Sequence, residues 1–95
     1  MPNYEVIYIV AADLGEEQVK EQMERFARVV REQGGEVTEE PRVWEQRHLA
    51  YPIKKYGEGI YILMNVSGHG KILGELSRQF RVSESVLRHI IVRTG

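Results

Sequence analysis

The sequence predicts an α+β fold in which two helices cover one face of a four-stranded antiparallel sheet. Three observations predict it: runs of β-branched and aromatic residues, two segments with apolar residues at helical spacing, and turn residues between these segments. In chain order the segments read β-α-β-β-α-β, and the split βαβ, or ferredoxin-like, sandwich satisfies that order. We expect residues 1–95 to form a single domain with one modest core.

The first strand and the first helix have distinct signals. Residues 4–10 are largely apolar on both faces, which is typical of a central strand. Asp13 is positioned to cap the helix that follows, with Glu16 three residues later in capping-box register. Gly34 and Gly35 are predicted to end this helix. Its apolar stripe consists of Val19, Met23, Phe26, Ala27 and Val30.

The second strand is predicted to run from Glu36 to Ile53 and to be unusual. It contains Pro41 and Pro52, and because proline donates no backbone hydrogen bond, such a strand lies at a sheet edge or is bent. The glycine-containing segment at residues 56–59 is predicted to form the following turn. A third strand is then expected over residues 60–66.

The last two elements are shorter. A break at residues 67–70 precedes a helix with an apolar stripe at Leu73, Leu76 and Phe80. A final strand is predicted from Val86 to Arg93.

The sheet face away from the helices is predicted to be apolar. Strand alternation places six side chains there: Ile7, Ile9, Tyr61, Leu63, Ile90 and Val92. Such a patch exceeds the usual scatter of exposed apolar residues, so we expect a partner to cover it. The competing interpretation is an apolar sheet face without a partner.

Charge is distributed unevenly along a chain whose net charge is −1. Residues 1–41 carry ten acidic and four basic side chains, whereas residues 42–95 carry nine basic and four acidic ones. Within the second part, an apolar run lies between Arg47 and the pair Lys54 and Lys55. Cations around an extended segment indicate a surface that meets a polyanion. An acidic first helix without functional meaning is the alternative explanation for the asymmetry.

Residues for catalysis or metal binding are absent or scattered. There is no cysteine, and the three histidines show no metal-ligand spacing. The loop at residues 68–71 lacks the length and the Ser/Thr of a P-loop, so we interpret it as a turn. We predict no enzymatic activity, no cofactor, no metal site and no small-molecule substrate. A small acylphosphatase-like enzyme would need an arginine near the first strand, and residues 10–14 offer none.

Apolar runs are too short to span a membrane. The longest one, at residues 6–12, has the length of a strand, and the N-terminus lacks the cationic start of a secretory signal. We therefore expect no membrane partner, and the absence of cysteine is compatible with a reducing cytosol.

Sequence blocks along the whole chain resemble the ribosomal protein S6 family of the bacterial small subunit. The most specific block is Leu49-Ala50-Tyr51-Pro52-Ile53, followed by Lys55. Further matching blocks are Tyr4-Glu5, Gly34-Gly35, Trp44 with Arg47, residues 61–66, residues 86–88 and Val92-Arg93.

This resemblance implies a structural protein on the platform of the small ribosomal subunit. It implies binding to the central domain of the small-subunit rRNA together with ribosomal protein S18, in a cytoplasmic or organellar ribosome. The residues that it assigns to rRNA contact are Arg47, Lys54, Lys55, Arg88 and Arg93. The residues that it assigns to the protein partner are Trp44, Leu49, Tyr51, Tyr61 and Leu63.

The chain departs from the family pattern at two places that bear on binding. Pro2-Asn3 stands where relatives carry a basic residue, and Glu45-Gln46 stands where relatives carry glycine followed by basic residues. Glu45 is therefore expected to place a negative charge near the proposed phosphate surface. The alternative function is a non-enzymatic module of the same fold that self-associates through its open sheet face or binds a regulatory ligand.

Overall fold

The computed structural model describes all residues 1–95 and has the predicted order of elements. The elements are β1 (Asn3–Ala11), α1 (Glu16–Glu32), β2 (Glu36–Ile53), β3 (Tyr56–Ser67), α2 (Gly70–Val82) and β4 (Val86–Arg93). The sheet order is β2-β3-β1-β4 with every neighbouring pair antiparallel, so the predicted ferredoxin-like fold is confirmed. Strand β2 lies at an edge, as its prolines predicted. Neither helix combines the length and the apolar character that crossing a membrane requires.

The main core lies between the helices and one face of the sheet. Three aromatic rings form its centre: the Tyr8 ring lies 5.2 Å from that of Phe26 and 4.8 Å from that of Phe80, and the two phenylalanine rings are 4.5 Å apart. These three side chains are fully buried, and the apolar residues of β1, β3 and both helices surround them. Such close aromatic packing fixes both helices on the same side of the sheet.

The predicted cap of α1 is wrong. Asp13 lies in a turn between β1 and α1, in which the Leu14 amide donates to the Ala11 carbonyl at 3.3 Å. The N-cap is Gly15, whose amide donates to the Gln18 side-chain oxygen at 3.1 Å. The turn occupies the position of the predicted cap, so α1 begins only at Glu16.

The turn between β2 and β3 is also displaced from its prediction. Residues 56–59 belong to β3, and the turn consists of Lys54 and Lys55, between the paired residues Ile53 and Tyr56. The φ angles of the two lysines are +50° and +75°, the left-handed region typical of a two-residue type I′ hairpin. The glycines at residues 57 and 59 are therefore strand residues, and their role is not to form the turn.

Two helix-associated glycines predict opposite stability effects. Gly74 lies inside α2 with open space around it, so Gly74→Ala is expected to raise the free energy of unfolding by about 0.5–1 kcal/mol. Gly34, after α1, has a φ of +88°, so Gly34→Ala is expected to lower the free energy of unfolding by about 1–2 kcal/mol. Urea unfolding of both variants measures this difference, and equal shifts would contradict it.

Candidate nucleic-acid interface

The hairpin that joins β2 and β3 extends beyond the rest of the sheet. Strand β1 ends at Ala11, which pairs with Gly59, so residues 48–58 project past it; we call them the hairpin arm. The arm bends across the open face towards β4, where the Lys54 ammonium donates to the Val86 carbonyl at 3.1 Å. This bend gives the open face a second, small hydrophobic cluster at its arm end.

The second cluster changes the predicted exposure of the open face. Ile9, Ala11 and Leu87 are buried in it, packed against the half-buried Leu49 and Tyr61. Ile9 is predicted to lie on the open face, where a partner would cover it, yet it is only 6% exposed in the monomer because the hairpin arm covers it. The remaining five predicted open-face side chains retain intermediate or high exposure.

Most of the predicted cations lie around the hairpin arm. The Arg88 guanidinium donates to the Tyr51 hydroxyl at 3.0 Å, and both side chains line a cleft of about 110 Å³ beside Tyr61. Lys54 and Lys55 occupy the tip of the arm. The open face and the arm therefore present cations from β4 and from the turn together.

Arg93 lies apart from this group. It pairs in register with Tyr4, at the other end of β1 and β4 from the hairpin arm. Tyr4 packs against the main core, so Arg93 also shares the register of the helix-covered face rather than the open one. The structure therefore does not bring Arg93 together with the other candidate cations.

Arg47 is held in an aromatic and acidic environment. Its guanidinium carbon lies 4.2 Å from the Tyr61 ring centroid and 5.9 Å from that of Trp44, and the side chain forms a 2.9 Å ion pair with Glu45. Tyr61, and to a smaller extent Glu45, raises the pKa of Arg47 above its ordinary value. The side chain thus carries a permanent positive charge, although Glu45 offsets it locally.

A row of apolar side chains crosses the middle of the open face. Ile7 is paired with Leu63 on one side and with Ile90 on the other, so the three lie next to one another across three strands. Ile90 is 51% exposed, and Val92, two residues further along β4, is 46% exposed. Nothing in the monomer covers this row, which gives the face a continuous apolar strip.

Sequence reasoning missed the polar end of the open face. Glu39 accepts hydrogen bonds from Arg42 at 3.2 Å and from Asn65 at 2.9 Å, next to the apolar row. The register of β2 shifts between Val37 and Glu39 and again before Arg42. Strict alternation would put Glu39 and Arg42, three residues apart, on opposite faces, so the sequence pattern did not indicate that they share this one.

The family model for ribosomal protein S6 matches residues 3–93. The chain belongs to the ribosomal protein S6 family. The resemblance seen in the sequence is thereby confirmed over essentially the whole chain.

Two bS6 relatives match over nearly their full length. The small ribosomal subunit protein bS6 of Caldanaerobacter subterraneus is 44% identical over 94 residues, covering 99% of this chain and 98% of the relative. The bS6 protein of Desulforamulus reducens is 43% identical over 95 residues, covering 100% and 99%. The crystal structure of 30S ribosomal protein S6 from Thermotoga maritima superposes with a TM-score of 0.88 at 29% identity, covering 98% of this chain and 87% of that one.

His89 predicts a pH dependence of stability in this S6-family protein. Its ring lies 5.0 Å from Phe80, and burial, followed by the Arg81 charge, lowers the pKa of His89 below its ordinary 6.5. The unfolded chain therefore binds the proton more readily, so the free energy of unfolding should fall as pH drops through about 6.5. Urea titrations of the protein and of His89→Gln between neutral and mildly acidic pH measure this: the variant should lose part of the dependence, and an unchanged dependence would contradict the assignment.

Proposed function

We propose that this protein is a structural, non-enzymatic component of the small ribosomal subunit that binds the central domain of the small-subunit rRNA together with ribosomal protein S18. Membership of the S6 family and the full-length bS6 relatives support the ribosomal location. The observation that carries the RNA contact is the pair of left-handed lysines at the tip of the hairpin arm.

The conformation of Lys54 and Lys55 supports a role for their charge. A left-handed backbone costs a residue with a side chain about 1–2 kcal/mol, and Asn-Gly is the pair that forms this type of turn with least strain. Strained residues persist where function requires their side chains. Two lysines in a turn that favours Asn-Gly support a role for positive charge at this tip.

Ion pairing distinguishes the candidate cations from one another. Neither Lys54, Lys55 nor Arg88 has a carboxylate within 4.0 Å, whereas Arg47 is paired with Glu45. A cation without an acidic neighbour can neutralise a phosphate without first giving up an ion pair. We therefore assign phosphate contact mainly to the arm and to β4, with Arg93 as a separate contact at the far end of the sheet.

The apolar row of the open face is the proposed S18 surface. Its side chains are continuous with Tyr61 and with the second hydrophobic cluster, so the partner would extend an existing packed layer. Two further proposed partner contacts, Leu49 and Tyr51, lie on β2 along the same face. Burial of such a strip on association would provide the hydrophobic contribution to binding.

Replacing Ile90 with glutamate tests this surface. Ile90→Glu is expected to weaken S18 binding at least about tenfold by placing a charge in an apolar contact, with little change in unfolding, because the side chain is already half exposed. Val82→Glu, at a comparably exposed apolar position on α2, is the matched control. Isothermal titration with S18 measures both; equal affinities for the two variants would contradict the assignment.

Salt-dependent binding tests the function as a whole. The logarithm of the affinity for a central-domain rRNA fragment, measured with S18 present, should fall with the logarithm of salt concentration by about 0.7–0.9 per phosphate contact. Four contacts, from Lys54, Lys55, Arg88 and Arg93, predict a slope of about −3. Absent or salt-independent binding would overturn the proposal. The alternative function, self-association through the open face, predicts a dimer in the absence of RNA. Sedimentation of the chain alone tests it.

A further inference from the structure

We propose that Trp44 is a stacking site for an unpaired nucleobase of the bound RNA. This inference rests on the proposed rRNA binding and adds to it a contact with a base, distinct from the phosphate contacts of the hairpin arm. It also reassigns Trp44, which the family resemblance placed in the protein-partner surface.

A β-bulge directs Trp44 outward. Val43 is paired with Ile62 of the main core, whereas Glu45 is paired with Tyr61 on the open face, so the register shifts at the intervening Trp44. Bulges reorient side chains in this way and occur next to functional sites. The result is an indole that is 54% exposed while its ring centroid lies only 6.1 Å from that of Tyr61.

The neighbouring groups leave the indole of Trp44 available to a partner. Tyr61 is half-buried and lies beneath the Arg47 guanidinium at 4.2 Å. Arg47 in turn is paired with Glu45, so positive charge at this point is balanced. A neutral, flat partner suits an exposed indole beside a stacked arginine, and nucleobases stack on aromatic and guanidinium planes of this kind.

The surroundings of Trp44 favour a base over a protein partner. A tryptophan that anchors a protein complex usually sits near the centre of an apolar, desolvated patch. Here the apolar row lies towards β1 and β4, whereas Trp44 lies on the edge strand β2, beside two ion pairs formed by Glu45 with Arg47 and by Glu39 with Arg42. Trp44 therefore lies at the rim of the proposed S18 surface, outside the apolar row.

Fluorine NMR provides a direct test, because Trp44 is the only tryptophan of the chain. The full chain labelled with 5-fluorotryptophan is observed alone, with S18, and with S18 plus the central-domain rRNA fragment. We expect the resonance to move upfield when RNA is added, as ring stacking requires. A shift caused by S18 alone with no further change on RNA addition, or no shift while RNA binds, would overturn the stacking site and leave the proposed function standing.

Affinity measurements separate stacking from charge. Trp44→Leu is expected to weaken RNA binding about 5- to 100-fold with an unchanged salt slope, since no phosphate contact is lost. Trp44→Phe should retain most of the affinity, and Val43→Ala, at the neighbouring exposed position, is the control. A reduced slope or wild-type affinity for Trp44→Leu would contradict the inference. Failure of the unmodified protein to bind RNA would overturn the proposed function and this inference together.

Discussion

The double substitution Lys54→Asn and Lys55→Gly is expected to stabilise the protein and weaken its RNA binding at the same time. Both lysines have a left-handed backbone, and Asn-Gly is the preferred pair for a type I′ turn. The free energy of unfolding should rise by about 1 kcal/mol, since relief of strain at two residues exceeds the loss of the part-buried hydrogen bond from Lys54 to Val86.

The loss of binding follows from the two missing charges. If each lysine neutralises one phosphate, the salt slope should decrease by about 1.4–1.8 in magnitude. The ratio of the RNA affinity of the unmodified protein to that of the variant should consequently fall about tenfold between 50 and 200 mM salt. Urea unfolding and filter binding at several salt concentrations measure the two effects on the same preparations.

A matched control removes two charges elsewhere. Lys20→Ala with Arg28→Ala takes two cations without a carboxylate partner from α1, on the helix-covered side of the sheet. This control should leave the salt slope unchanged. An equal decrease in both variants would mean that net charge, and not the position of the hairpin arm, determines RNA affinity.

The order and the limits of the elements were largely predictable because they depend on local pattern. The bounds of β2 and β4 agree with the structure, and the prolines of β2 correctly placed it at an edge. The turn could not be predicted in the same way, because glycine is the strongest turn signal and the turn here contains two lysines. Because of Gly57 and Gly59, the turn was predicted at residues 56–59, which belong to β3.

The candidate site was less predictable than the fold because it depends on register and on tertiary packing. Strict alternation would put Val43 and Glu45 on one face, whereas the bulge at Trp44 puts them on opposite faces. The cover over Ile9 depends on how far the hairpin arm projects past β1, which strand pairing alone determines. Residue types therefore indicated which side chains matter, and the bulges and the arm decided where those side chains meet.

Gly59→Ala is expected to destabilise the second hydrophobic cluster and the surface built on it. A Cβ at residue 59 would lie 2.3 Å from Cγ2 of Ile9 and 3.4 Å from Cδ2 of Leu49. Because Ile9 is buried beneath the hairpin arm, it cannot yield without moving the arm, and such overpacking typically costs about 1–3 kcal/mol. Urea unfolding measures the cost, and RNA affinity should fall in parallel as the arm shifts.

Gly57→Ala is the control for this prediction, since the same substitution two residues earlier in β3 meets nothing within 4 Å. A double-mutant cycle with Ile9→Ala identifies the clash itself. Ile9→Ala removes the atom in question, so Gly59→Ala should cost clearly less in that background than in the native one. Additive effects in the cycle would mean that Gly59 serves backbone conformation instead, and that the close approach of Ile9 does not hold the hairpin arm in its binding position.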